Sequence, residues 1–187
     1  QKGVKNAEMQ HLYTREDLIN ATNASIDFVI DLIRDLPDSY VTFQPLDPDA
    51  RDDAAANAAD VNIAWTLGHV VVHITASSEE SAALGSLMAR GVENTDFRVR
   101  WETPWESVST IRDLLDRLEE SRRIRLAYLN AWPDQPHLDV IHDKASYAGT
   151  VNAVGRTLGG LRHDANHYGQ LQEIIRQATE ALSEAVG

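Results

Sequence analysis

Three histidines carry the strongest chemical signal in this sequence. His163 and His167 are four residues apart, so on a helix they lie on one face and their imidazole rings can bind the same divalent ion. A third ligand must come from another element, and His73 supplies it from a predicted helix. The helical stripe that contains His73 continues through Ser77, Glu80, Leu84, Leu87 and Met88. The spacing predicts a three-histidine metal site, although seven histidines in the chain leave the alternative that each is an ordinary core or surface side chain.

Two polar residues share the predicted helix of His73. His69 precedes His73 by four residues but lies about 40° from the centre of the stripe, which favours an accessory position at the rim of the site. A fourth-ligand role for His69 stays open. Glu80 is two turns beyond His73, roughly 10 Å along the axis, which is too far for a ligand from the same helix. It is a candidate general base.

Two further residues are candidates for binding or orienting a ligand. Gln170 lies one turn beyond His167, where its amide can orient a metal ligand or a bound water, or form a hydrogen bond at the edge of the core. Arg122 falls in the middle of the apolar stripe of the third predicted helix, and an inward arginine requires an anion such as a carboxylate. The alternative is a guanidinium that reaches solvent or pairs with a glutamate.

The composition limits the classes of function. A chain of 187 residues with 43% hydrophobic residues is sized for a single domain over residues 1–187. It contains no cysteine, so any metal must use nitrogen and oxygen ligands. The net charge of −12 opposes binding to nucleic acid or to anionic membranes. No apolar run approaches the roughly 20 residues of a membrane span, so we expect a soluble cytoplasmic protein with a small-molecule substrate.

Apolar periodicity and capping signals predict four helices and no strands. The first begins after Thr14, with Asp17 completing a capping box, and ends by Pro37; a crossing loop follows over residues 41–60. The second covers about residues 61–90, the third begins at residues 103–106 and runs to about 131, and the fourth covers about 150–185. The predicted class is all-α, a four-helix bundle whose long connecting loops line a site. Four tryptophans are expected to pack at helix ends: Trp65, Trp101, Trp105 and Trp132.

The fourth predicted helix is apolar on two faces. Its histidine face continues into apolar residues, and a second stripe runs along the opposite side. A helix that is apolar on two faces is buried on two sides, which predicts a homodimer. The second stripe consists of Val154, Leu158, Leu161, Ala165 and Tyr168.

Two segments resemble the DinB superfamily, and the resemblance covers nearly the whole chain. One runs from Trp65 to His73, and the other is the sequence His-Asp-Ala-Asn-His-Tyr-Gly-Gln-Leu that begins at His163. The resemblance implies a bundle of DinB type with nickel, zinc or iron held by His73, His163 and His167. The segment Arg-Val-Arg-Trp-Glu at 98–102 matches no pattern of the family.

Three neutral imidazoles leave an ion its full charge and at least one open position, which is typical of catalytic sites. The superfamily includes transferases and isomerases that use low-molecular-weight thiols, so the resemblance implies activation of a thiol for transfer to a small electrophile. The thiol would be a cosubstrate because the chain has no cysteine. One alternative is a hydrolase in which metal-bound hydroxide attacks and Glu80 or His69 handles protons. The other is a non-catalytic module for metal binding or dimerisation.

Overall fold

Four long helices dominate the structure, a computed structural model that describes residues 12–51, 58, 61–93, 99–142 and 150–184. They are α1 (Arg15–Ile33), α2 (Leu67–Ala89), α3 (Ile111–Asn130) and α4 (Ala153–Glu184). Single 3-10 turns lie at Asp38–Tyr40 and Trp105–Ser107. The described residues form no strand, only one isolated bridge between His142 and Val151. The predicted all-α four-helix bundle is confirmed.

The first helix begins where the sequence predicts. The Thr14 hydroxyl accepts a hydrogen bond from the Asp17 backbone N–H at 3.1 Å, and the Asp17 carboxylate accepts one from the Thr14 N–H at 2.8 Å. These two bonds complete the expected capping box. The helix ends at Ile33, before Pro37 is reached.

The predicted start of the third helix at residues 103–106 is wrong. That segment forms a single 3-10 turn after Pro104, without a side-chain cap. Val108 follows with an extended backbone, which interrupts any helix at this point, and its side chain is buried in the core. The helix begins at Ile111, after a second capping box in which the Thr110 hydroxyl accepts from the Asp113 N–H at 3.1 Å.

The second helix also begins later than residue 61. Thr66 is its N-cap, and the Thr66 hydroxyl accepts from the His69 N–H at 3.2 Å. At the start of α4, the Asn152 side-chain oxygen accepts from the Gly155 N–H at 3.0 Å. The fourth helix therefore begins within three residues of its predicted start. Its predicted end at Ala185 lies outside the described residues, as does the run 52–57 of the crossing loop.

The helices pack so that neighbours in sequence are not always neighbours in space. Both α1 and α2 pack against α3 and α4, which leaves α1 diagonal to α2 and α3 diagonal to α4. The long connections 34–66 and 131–152 cross these diagonals. The helix α2 is deeply buried in the bundle, with 18 of its 23 residues buried.

Glycines allow α2 and α4 to approach closely. A Cβ at Gly160 would lie 2.7 Å from the Ser81 Cβ and 3.1 Å from the Ser78 Cα, and a Cβ at Gly85 would lie 2.4 Å from the Thr157 hydroxyl. Such distances are shorter than packed atoms tolerate. The glycines therefore place the α2 and α4 backbones next to each other.

The second apolar stripe of α4 is used within the chain. Val154 is buried, Leu158 packs against the same cluster, and the Tyr168 ring lies 4.2 Å from that of Phe28 on α1. The other two members of the stripe, Leu161 and Ala165, are half-buried and exposed, respectively, and the homodimer stays a prediction. None of the helices among the described residues is both long and apolar enough to cross a membrane.

Candidate metal centre

The three predicted histidines meet between α2 and α4. One nitrogen from each of His73, His163 and His167 lies within 4.8 Å of the other two. The Nε2 atoms of His73 and His163 are 3.2 Å apart. Two nitrogen ligands of one tetrahedral ion, each 2.0–2.1 Å from it, are about 3.3 Å apart. The spacing fits two ligands of a single metal ion.

A contact from a side chain to the backbone helps to hold the two helices in register at this point. The Ser78 hydroxyl oxygen on α2 lies 2.9 Å from the Gly160 carbonyl oxygen of α4. His163 follows Gly160 by three residues and His167 is one turn further on, so both rings project toward α2. The close α2–α4 contact is what brings His73 to the histidine pair.

Burial keeps two of the rings neutral. It lowers the pKa of His73 to about 2, assisted by the positive charge of Arg100. It lowers the pKa of His163 to about 4, with a further contribution from His167. Metal binding requires an uncharged imidazole, and at neutral pH both rings meet that requirement.

Gln170 orients the third ring. The His167 Nδ1–H donates to the Gln170 side-chain oxygen, with 2.8 Å between the heavy atoms. This bond leaves the lone pair of His167 on Nε2, and metal-binding histidines are commonly oriented through the other ring nitrogen in this way. This hydrogen bond fits both interpretations of Gln170, as a residue that orients a ligand and as a partner at the edge of the core.

An aromatic stack forms one wall of the centre. The His69 ring lies between Trp65 and Trp105, with centroid distances of 4.4 and 5.0 Å. Trp65 also lies 4.6 Å from His73 and 6.0 Å from His167. Among the described residues, the group of possible metal ligands consists of three histidines and does not include His69. His69 packs on the Trp65 ring, between Trp65 and Trp105.

The segment after residue 98 supplies contacts that the sequence did not predict. Arg100 Nη2 lies 3.2 Å from His73 Nδ1, and Arg100 Nη1 donates to the Ser77 hydroxyl at 2.6 Å. The Glu102 carboxylate accepts from Arg100 Nε at 3.0 Å and has its other oxygen 3.9 Å from His73 Nδ1. The mixed charges of this segment give no periodic signal that could have placed it beside the histidines.

The remaining two candidates lie elsewhere. Glu80 is 6% exposed and accepts from the Val99 N–H at 3.2 Å, so it anchors the segment that carries Arg100. Arg122 lies between α1 and α3, where it donates to the Asn23 side-chain oxygen at 3.0 Å and the Asp27 carboxylate at 2.5 Å. The structure thus gives Arg122 the surface ion pair that was the alternative to an inward anion site.

A buried polar network lies directly behind the histidines. Asp164 is 1% exposed and accepts from Ser25 of α1 at 3.0 Å, Ser78 of α2 at 2.6 Å and Arg125 of α3 at 2.8 Å. One carboxylate on α4 therefore connects all four helices at the residue next to His163. Neither Asp164 nor Arg125 was among the residues predicted from the sequence.

Comparison with known proteins identifies a family. A family model described as the DinB superfamily matches residues 29–171, a span that contains the three histidines. No curated protein and no solved structure matches the chain. The family match covers more than half of the chain and agrees with the motif and the helical bundle.

Proposed function

The chain belongs to the DinB superfamily, and from that membership and the site geometry we propose that it is a metal-dependent enzyme that binds one divalent ion through His73, His163 and His167. The observation that carries the proposal is the grouping of three imidazole nitrogens within 4.8 Å. The donor set fits nickel, zinc or iron, since all three accept imidazole nitrogen.

The proposed reaction is transfer of a low-molecular-weight thiol to a small electrophile. A divalent ion with three protein ligands supplies a Lewis acid with an open position, which lowers the pKa of a bound thiol or water. In the transfer, the thiol sulfur forms a bond to the electrophilic carbon, the leaving group departs and the thiol proton passes to solvent. The thiol is a cosubstrate because the chain has no cysteine.

Residues around the histidines have distinct proposed roles. Gln170 fixes the orientation of His167. Trp65 covers one side of the rings and limits the access of water. Arg100, which contacts His73, takes the anion-binding role that the sequence suggested for Arg122, and it can attract a carboxylate of the thiol or of its acceptor.

The hydrolase alternative receives less support from the geometry. Its proton-handling candidates were Glu80 and His69. Glu80 accepts from the Val99 N–H, and His69 is stacked between two tryptophans. Neither belongs to the three-histidine group.

We also propose that the protein acts in the cytoplasm, because low-molecular-weight thiols are kept reduced there.

An activity screen tests the proposal. Protein purified without a histidine tag is loaded with one equivalent of zinc, nickel or iron(II) and incubated with low-molecular-weight thiols and small electrophiles, and the loss of free thiol is measured. We expect metal-dependent consumption of a thiol that the His163→Ala variant does not show. Hydrolysis of esters without thiol would favour the hydrolase, and metal binding without either activity would favour the non-catalytic module.

A further inference from the structure

The contact between Arg100 and His73 determines which nitrogen of His73 carries the proton. A guanidinium has only donors, so His73 Nδ1, 3.2 Å from Arg100 Nη2, must be the acceptor. The ring proton is then on Nε2, which lies 3.2 Å from His163 Nε2 and donates to it. The result is a directed chain of hydrogen bonds from Arg100 through His73 to His163.

This tautomer of His73 cannot bind a metal through Nε2. A ligand nitrogen must present its lone pair to the ion, so the proton of His73 has to be on Nδ1 when Nε2 coordinates. A proton on His73 Nδ1 would face an N–H of the Arg100 guanidinium 3.2 Å away, and two donors at that distance repel. Metal binding at this centre therefore requires a change of partner at His73 Nδ1.

Glu102 is placed to become that partner. One of its carboxylate oxygens is held by Arg100 Nε at 3.0 Å, and the other is 3.9 Å from His73 Nδ1. A movement of about 1 Å brings the second oxygen to hydrogen-bond distance. Arg100 keeps its bonds to Glu102 and to the Ser77 hydroxyl during this movement.

We propose that Arg100 and Glu102 compete for Nδ1 of His73, and that metal binding exchanges the arginine for the glutamate. Glu102 is a positioning residue for the metal-loaded state, and Arg100 favours the metal-free state. The exchange frees one N–H of Arg100 beside the ion, where it can bind an anionic group of a substrate. This inference rests on the metal-binding part of the proposed function.

Two variants of equal size separate hydrogen bonding from charge. Glu102→Leu removes both the acceptor and the negative charge, whereas Glu102→Gln removes the charge and keeps an acceptor oxygen. We expect Glu102→Leu to weaken zinc binding about 10- to 100-fold in competition with a chromophoric chelator. Glu102→Gln should stay within a few-fold of wild type. An equal loss in both variants, or no loss in either, overturns the inference.

The position of the ring proton provides a second readout. Nitrogen-15 NMR of His73 should show the Nε2–H form in metal-free protein and the Nδ1–H form after one equivalent of zinc. Arg100→Met should remove the preference for Nε2–H, while Arg123→Met, which removes an exposed arginine paired with Glu120, should leave it unchanged. An Nδ1–H form in the metal-free wild type overturns the inference.

Failure of the two proposals can be distinguished. If the wild type binds no zinc, the proposed function and the exchange at His73 fall together. If the wild type binds zinc but Glu102→Leu binds it equally well, only the exchange is overturned, and the three-histidine site stands.

Discussion

At the scale of single residues, the centre depends on partners that set the direction of each imidazole ring. Gln170 accepts from His167 Nδ1 and leaves the lone pair of the ring on Nε2, while Asp164 ties the turn that carries His163 to the other three helices. The histidines alone do not define the site, since a ring that rotates freely loses affinity for the ion. Substitutions of these partners should therefore separate effects on metal affinity from effects on stability.

Replacing Gln170 should weaken metal binding without unfolding the protein. In Gln170→Leu the His167 Nδ1–H loses its acceptor, and we expect zinc affinity to fall roughly 10-fold or more. Gln172→Leu changes an exposed glutamine on the same helix and should bind zinc like the wild type. Equal affinities of the two variants in a chelator competition would show that Gln170 does not orient a ligand.

Replacing Arg125 should destabilise the fold. Arg125 and Asp164 are 2% and 1% exposed, and Arg125→Met leaves a buried carboxylate without its cation. We expect the free energy of unfolding in urea to fall by about 3–5 kcal/mol. The control Arg123→Met removes an exposed ion pair on the same helix and should leave stability near that of wild type. A loss no larger than that of the control would contradict the structural role of the network.

The choice between Arg122 and Arg125 shows what the sequence could not determine. Three residues along a helix correspond to a rotation of about 60°, so both arginines lie near the same apolar stripe. Arg122 pairs with acidic residues near the surface, and Arg125 enters the core to meet Asp164. Which arginine enters the core depends on the rotation of α3 about its own axis relative to the neighbouring helices. No local sequence pattern encodes that rotation.

At the scale of elements, the contact between α2 and α4 places the ligands. His73 projects from one helix and the histidine pair from the other, and the small residues Ser78, Ser81 and Gly160 set the separation. The i, i+4 histidine pair and the Thr14 capping box are local features, so the sequence predicted them. The start of α3 was mispredicted because two capping signals lie seven residues apart, at Thr103 and Thr110, and burial of Val108 selects the second.

Alanine substitutions at two adjacent glycines of α4 should have opposite effects on the free energy of unfolding. A Cβ on Gly160 would lie 2.7 Å from Ser81, so Gly160→Ala forces α2 and α4 apart and should cost about 1–3 kcal/mol of unfolding free energy. No atom of the described residues lies within 4 Å of a Cβ on Gly159, so Gly159→Ala should gain about 1 kcal/mol from helix propensity. Thermal or urea unfolding measures both, and a destabilised Gly159→Ala variant would contradict the packing described for this face.

At the scale of the whole molecule, the proposed centre lies among helices that share a large apolar core. Buried residues from α1, α2, α3 and α4 form one hydrophobic cluster, so we expect the bundle to fold without metal and to gain stability when it binds. Periodicity predicted the helical class, and the histidine spacing together with the family resemblance predicted that His73, His163 and His167 lie together. The sequence did not place residues 99–102 against His73, because the position of a connecting segment depends on the packed helices.

Metal should stabilise the folded chain through binding to the native state. At a free metal concentration 100 times the dissociation constant, one site adds about 2.7 kcal/mol to the free energy of unfolding. Addition of a chelator should lower the melting temperature of metal-loaded protein to that of the metal-free protein, which should remain folded. The His163→Ala variant should show no such shift. Complete unfolding on chelation would indicate that the metal is required for the fold.

The three-histidine metal centre is tested most directly by the metal content of protein purified without a histidine tag, measured by elemental mass spectrometry for wild type and His163→Ala. The three-histidine centre predicts close to one divalent metal ion per wild-type chain and loss of that ion in the variant. A wild-type chain that holds no metal after incubation with zinc, nickel or iron(II) would contradict the account.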